Sequence, residues 1–251
     1  MVAGVIMLLF LLVFRFILTG GLEKKLVPSF TETQTDWNNV HEPLLRTHWK
    51  QDSIYAKYTP RNELLGCWSV AFAQVLAFHR LQPSGKVNYT THGGITIDQT
   101  VIPVNWDKIV STVNRETQEE NSDETARYCY QTSIIIQKDF GQGDYMDISV
   151  VPQEISEHFN CIVKRIDLDL INGIINEIHS NRPIVAYFND ILSIKIVRNG
   201  HAAVLDGIAQ ENDDILVHVN FGWGGDSDGW YNYKTLSNQR KLLYIFTIRP
   251  V

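Results

Sequence analysis

Cysteine is scarce in this chain and basic runs are missing, and each absence closes off a class of chemistry. Only Cys67, Cys129 and Cys161 are present, far apart and none within a CxxC. A zinc site is therefore not expected, and no other metal or cofactor is implied. Against 28 Asp and Glu stand 22 Lys and Arg, a formal net charge of −6 with no long basic stretch. A nucleic-acid partner would need a positive patch that this composition does not offer. Internal repeats, low-complexity tracts and Pro/Ser-rich linkers are also lacking. With 251 residues, 44% of them hydrophobic, the chain can bury one substantial core or two small lobes. Finally, the glycine-rich stretch Gly222, Gly224, Gly225 and Gly229 has no Gly-Lys-Ser/Thr after it and opens no helical pattern. It is not a phosphate loop; a loop whose backbone lies close to a substrate is the better expectation.

An odd number of cysteines leaves two alternatives. One free thiol plus a Cys129–Cys161 bridge would suit an oxidising compartment; two buried thiols fit equally well. At the N-terminus, residues 2–19 are apolar except for Gly4, Arg15 and Thr19. That run is barely long enough to span the hydrocarbon core, and a signal peptide fits as well as an anchor. Lys24 and Lys25 follow it, which argues for a cytoplasmic domain, yet export or anchoring with the domain outside is the expectation taken here. The organisation expected is a signal peptide or membrane anchor over 1–22, a short connecting segment over 23–48, and one domain over 49–251.

Two separated segments carry the chemistry. In the first, Gly66-Cys67-Trp68-Ser69-Val70-Ala71-Phe72-Ala73-Gln74 heads a stretch without Gly or Pro that is apolar nearly all round, the mark of a buried central helix. A turn-rich loop (Pro60, Asn62, Gly66) delivers the chain to its start. The free amides and positive dipole end of a helix stabilise a thiolate. The same amides can form an oxyanion hole, with the Cys67 N–H the natural donor. Gly66 would let a substrate backbone pass close by. A lone buried Cys is usually structural; a partner is needed to make it a nucleophile.

The second segment supplies one. The apolar run 202–209, the polar cluster 210–214 and the run 215–221 read as a β-hairpin. Such a hairpin sets His201, at the start of one strand, near Asn220 at the end of the next. A thiol nucleophile needs a general base, and the base needs an orienting group; Asn220 could hold the imidazole in the useful tautomer. Trp223 could cover that contact from water. His218, on the same hairpin, is the only other histidine with a claim.

Cys, a distant His, then Asn is the chain order of papain-type peptidases. The segments Gly66-Cys67…Ala73-Gln74, Gly200-His201-Ala202…Asp206-Gly207, and His218-Val219-Asn220-Phe221-Gly222-Trp223-Gly224-Gly225 with Asp228-Gly229 resemble the three signatures of the streptopain family, the third most specifically. The similarity extends more faintly through Trp49-Lys50-Gln51, Tyr55, Trp106-Asp107 and Asp139-Phe140-Gly141 to a helix over 152–159. It implies an α+β, papain-like cysteine peptidase fold, a central nucleophile helix packed on an antiparallel β-sheet that includes 201–209, 215–221 and 242–249. It further implies an endopeptidase acting on protein or peptide substrates, with catalytic Cys67, His201 and Asn220. Gly66, Trp223 and Gly224 are expected to meet the substrate; the second oxyanion donor stays open between Gln51 and Gln74, with Gln74 expected to face the helix core or a neighbouring turn. Two departures stand out: Phe221 replaces a usual Trp, and Trp68 and Phe72 are bulkier than the family's residues there, which would narrow the cleft or repack the core. Family members are made with a long propeptide, whereas 23–48 is too short for one. The domain is thus expected to fold unaided and to be restrained by location or by a separate protein inhibitor. The competing function is a catalytically silent papain-fold module that binds or regulates; a third is another papain-fold activity such as acyl transfer.

Overall fold

A computed structural model describes residues 40–141, 147–190, 200–211, 214–234, 236 and 240–251. The hydrophobic run 2–19 and most of the segment 23–48 lie outside the described residues. Helix α1 (Cys67–Phe78) has neither Gly nor Pro, and residues 67–76 are all buried. It ends where Arg80 takes a left-handed backbone, φ 51°, and the chain turns back. Helix α2 (Glu119–Ile135) packs against α1, and its first turn carries Glu119 and Glu120, which favour the positive helix end. Farther along come α3 (Val151–Phe159) and α4 (Leu170–His179). A two-stranded ribbon, β1 (Lys86–Thr90) with β2 (Thr96–Thr100), flanks the helical side.

The remaining strands are β3 (Cys161–Ile166), β4 (Ile184–Asp190), β5 (Gly200–Glu211), β6 (Asp214–Asn220), β7 (Gly229–Asn232) and β8 (Arg240–Pro250). They form one sheet in the order β3-β8-β4-β5-β6-β7, every neighbouring pair antiparallel. The expected strands over 201–209, 215–221 and 242–249 are thus β5, β6 and β8. Both faces of β5 are covered. Ala202 and Val204 join the α1 core, while Ala203 and Leu205 join a second core with Ile174 and Ile178 of α4. Burial on two faces is why this strand reads as a continuous apolar run instead of alternating.

The pairing of β5 with β6 slips between Leu205 and Gly207, leaving Asp206 as an extra residue. That bulge turns Asp206 toward the preceding segment. Its carbonyl accepts from Leu44 N–H (2.9 Å) and its carboxylate from Leu45 N–H (2.8 Å). Residues 40–48 therefore lie across the sheet, with His41 bridged to Ile208 and Thr47 reaching Gln74 of α1. Trp49 follows, fully buried, its indole donating to Val110 O at 2.8 Å.

Cys129 and Cys161 form no bridge and are two buried thiols. Burial holds the Cys129 thiol far above its ordinary range and pushes Cys161 up to about 11. Among the described residues no helix is long and apolar enough to cross a membrane, and no His, Cys, Asp and Glu cluster could hold a metal ion.

Candidate active site

Cys67 is the first residue of α1, and the geometry of its approach explains Gly66. That residue caps the helix at φ 81°, ψ 153°, a conformation in which a Cβ is strained. The thiol it delivers is buried and accepts a hydrogen bond from Ala202 N–H, with N···Sγ 3.4 Å. This amide belongs to the peptide that follows His201. Helix α1 and strand β5 thus bring the two predicted residues together from 134 positions apart, as the numbering gives.

The His201 ring is fixed from its far side. Nε2 lies 2.9 Å from the carbonyl oxygen of Phe221. A carbonyl can only accept, so Nε2 bears the proton, and in the neutral ring Nδ1 is the basic nitrogen. Trp223 packs over the imidazole with ring centres 4.7 Å apart, and Phe221 stacks on Trp223 at 4.9 Å. Gly222, at φ 69°, makes the turn between them; a Cβ there would meet Val70 Cγ1 at 3.0 Å. Loop and helix α1 are therefore in direct contact.

Asn220 enters this arrangement through the backbone. Its Oδ1 accepts from Gly222 N–H and from Gln74 Nε2, each at 3.0 Å. Its Nδ2 donates to Thr47 O at 2.8 Å. Gly222 N–H and the Phe221 carbonyl are the two ends of one peptide unit. Asn220 grips one end and His201 binds the other, so that peptide links the carboxamide to the imidazole. Gln74 is fully buried and points to Asn220 and Thr47, as expected of a residue facing the helix core. Gln51 sits against the loop ahead of Cys67, its carbonyl accepting from Leu65 N–H at 2.9 Å. Gly224 donates its N–H to Trp49 O at 3.1 Å, and Trp223 forms a bridge with Lys50, stitching the glycine loop to the chain that precedes α1. His218 serves Asp206, Nδ1 to Oδ1 2.7 Å, and packs edge-on against Trp230.

Trp68 does not obstruct a cleft; it fills the joint between helix and sheet. Its ring stacks on Phe72, Tyr187 and Tyr244 at 5.9, 5.1 and 6.2 Å, and Arg165 lies over Tyr244 at 3.9 Å. This row starts beside the thiol, because Tyr187 is the cross-strand partner of Ala202. It also explains Gly200, where a Cβ would fall 1.7 Å from Tyr187 Oη.

Sequence reasoning missed two participants. The Phe221 carbonyl is a main-chain group, which no residue pattern announces. Asp228 lies within the third signature without an assigned role; here its Oδ1 accepts from Phe221 N–H at 2.8 Å and its Oδ2 lies 3.4 Å from His48 Nδ1. Burial pushes the Asp228 carboxyl up, opposed by the Phe221 N–H and by His48.

A thiol at the head of a buried helix, set against a strand of an antiparallel sheet that carries an anchored imidazole, is the papain-like α+β arrangement. The fold is shared with interpain A of Prevotella intermedia, described as a cysteine protease: TM-score 0.70 at 19% identity, covering 88% of this chain and 99% of that one. A prointerpain A fragment superposes with TM-score 0.68 at 18% identity, over 94% of this chain and 80% of that one. The profile of the Peptidase C10 family matches residues 49–231, and the chain belongs to that family. Proteins named Streptopain from Streptococcus pyogenes, serotypes M28 (strain MGAS6180) and M1, are 24% identical to it over 85% of this chain. The chain spans about three fifths of the length of those curated relatives, 61%.

Proposed function

We propose that this protein is a cysteine endopeptidase. Cys67 Sγ attacks the scissile carbonyl carbon while His201 Nδ1 takes the thiol proton, so that a C–S bond forms. The proton then passes to the leaving nitrogen as the C–N bond breaks. Water attacks the thioester, gives its proton to Nδ1, and the C–S bond breaks with that proton returning to sulfur. The developing oxyanion is met by the Cys67 N–H at the start of α1, with Gln51 the second donor. Asn220 orients His201 through the Phe221–Gly222 peptide, and Trp223 shields the imidazole. Gly66 and Gly224, lacking side chains, leave room for an extended substrate backbone beside Trp223.

The observation that carries this reading is the 3.4 Å hydrogen bond from Ala202 N–H to Cys67 Sγ, one peptide from a histidine whose Nε2 is anchored at 2.9 Å. Relatives named as peptidases or proteases support it. The substrate is a protein or peptide, and the run 2–19 favours action outside the cytoplasm. The test is labelling of the full chain with a thiol-directed epoxide inhibitor, followed by a casein digest. Wild type is expected to label once and digest casein. Cys67→Ala is expected to do neither, and His201→Ala to lose turnover as completely, because nucleophile and base act as a unit. A wild type that labels at Cys67 but cleaves no casein would favour another papain-fold activity such as acyl transfer, and one that does not label would favour the silent module.

A further inference from the structure

The carbonyl that anchors His201 belongs to a residue held on both sides. Ahead of it, Phe221 N–H donates to Asp228 Oδ1 at 2.8 Å; behind it, Gly222 N–H donates to Asn220 Oδ1 at 3.0 Å. Two fixed peptides leave Phe221 no freedom to swing its carbonyl away from the imidazole. The Asp228 end of this clamp is built at a cost. Its side chain is only 8% exposed, and desolvation disfavours its charged form. The loop that returns it seven positions to Phe221 needs left-handed backbone at Gly222, Gly224, Gly225 and Ser227, φ 69°, 76°, 92° and 67°. Ser227 has a Cβ, so that conformation is strained there. The groups facing the carboxylate are the Phe221 N–H, His48 at 3.4 Å and, more distantly, His218 and Tyr231.

We infer that Asp228 is a positioning residue for His201: by holding the Phe221 amide it keeps the Phe221 carbonyl on Nε2 and so reserves Nδ1 as the base. The inference rests on the peptidase reading for its kinetic consequence, but its structural core is a tautomer that can be observed without turnover. The experiment uses 15N ring spectra of His201 in the full chain carrying Cys67→Ala, above the titration range of the ring. The resonance is assigned by its loss in Cys67→Ala/His201→Gln. Expected is a single Nε2–H tautomer in Cys67→Ala, a mixture of tautomers in Cys67→Ala/Asp228→Ala, and recovery in Cys67→Ala/Asp228→Asn, whose Oδ1 can still accept. With Cys67 restored, Asp228→Ala is expected to lower kcat about tenfold with KM unchanged, the worth of one hydrogen bond, and Asp228→Asn to regain most of the loss. If Asp228→Ala does not fold, Cys67→Ala alone decides: the Phe221 amide and His201 Nε2 are expected to shift with one common midpoint as Asp228 is protonated. An unchanged tautomer in Cys67→Ala/Asp228→Ala, or separate midpoints, overturns the inference. An inactive wild type with the expected tautomers would instead overturn the peptidase reading and leave this one standing.

Discussion

Asn220→Ala separates orientation through the backbone from direct contact with the imidazole. The carboxamide is 3% exposed and its partners are Gln74, Thr47 O and Gly222 N–H. Gln74 Oε1 keeps Thr47 Oγ1, at 2.8 Å, when the carboxamide is removed, but Gln74 Nε2 loses its bond to Asn220 Oδ1. Gly222 N–H and Thr47 O lose theirs inside the protein. A buried polar group left unpaired costs about 1–3 kcal/mol, so three of them cost roughly 3–9 kcal/mol, near the low end where water enters the space vacated. Taking about 3 kcal/mol, a domain of this size is expected to melt roughly 6–12 °C lower. The loss in turnover is expected to be smaller in proportion, because the Phe221 carbonyl that binds His201 is still held by Asp228 from the other side. About tenfold in kcat is the expectation, against at least about a thousandfold for His201→Ala. Thermal unfolding and casein or peptide hydrolysis on the same samples are the assays. A melting point equal to wild type together with a loss of turnover as large as that of His201→Ala would refute the reasoning: Asn220 would then act on the imidazole and not on the frame around it.

Two further outcomes follow from the same packing. Gly200→Ala puts a Cβ 1.7 Å from Tyr187 Oη, and Tyr187 cannot yield easily because its ring stacks on Trp68 and Tyr244. Overpacking of this kind costs about 1–3 kcal/mol; a lower unfolding midpoint and slower alkylation of Cys67 are expected, and Gly200→Ala/Tyr187→Phe is not expected to recover them, because ring atoms Cζ and Cε2 would still lie 2.3 and 2.7 Å from the new Cβ. The Glu177 carboxyl is pulled up by burial, but hydrogen bonds and charge from Arg182 and Arg249 together outweigh this and hold it below its ordinary value. Its stabilising contribution is therefore full above the unfolded value of 4.5 and is lost as pH falls through the lower folded value. Unfolding midpoints of wild type and Glu177→Gln are expected to differ at neutral pH and to converge in acid; a constant gap across that window would contradict the assignment.

By itself the sequence determined where the thiol and the imidazole stand and what elements carry them. An apolar stretch of this length free of Gly and Pro reads as a buried helix, and its first residue, Cys67, then sits at the positive end of the helix dipole. Likewise the run beginning at His201 and ending at a polar turn is a strand of a hairpin, β5 paired with β6 at Glu211 and Asp214. Those are local properties, written in periodicity and turn chemistry. What only the tertiary structure decided is which group answers which. Asn220 was expected from the sequence to orient the imidazole, but its side chain turns to Gln74, Thr47 and Gly222 because the bulge at Asp206 sets the register of β6, and Val204 pairs with Asn220 on the face that meets α1. The imidazole is left to a main-chain carbonyl, which has no residue type to be read. Asp228 and Trp68 are the same lesson: a buried carboxylate against the Phe221 amide and an indole filling the joint between helix and sheet take their roles from partners many positions away. Long-range pairs depend on register, twist and packing density, and a one-dimensional pattern does not encode these position by position.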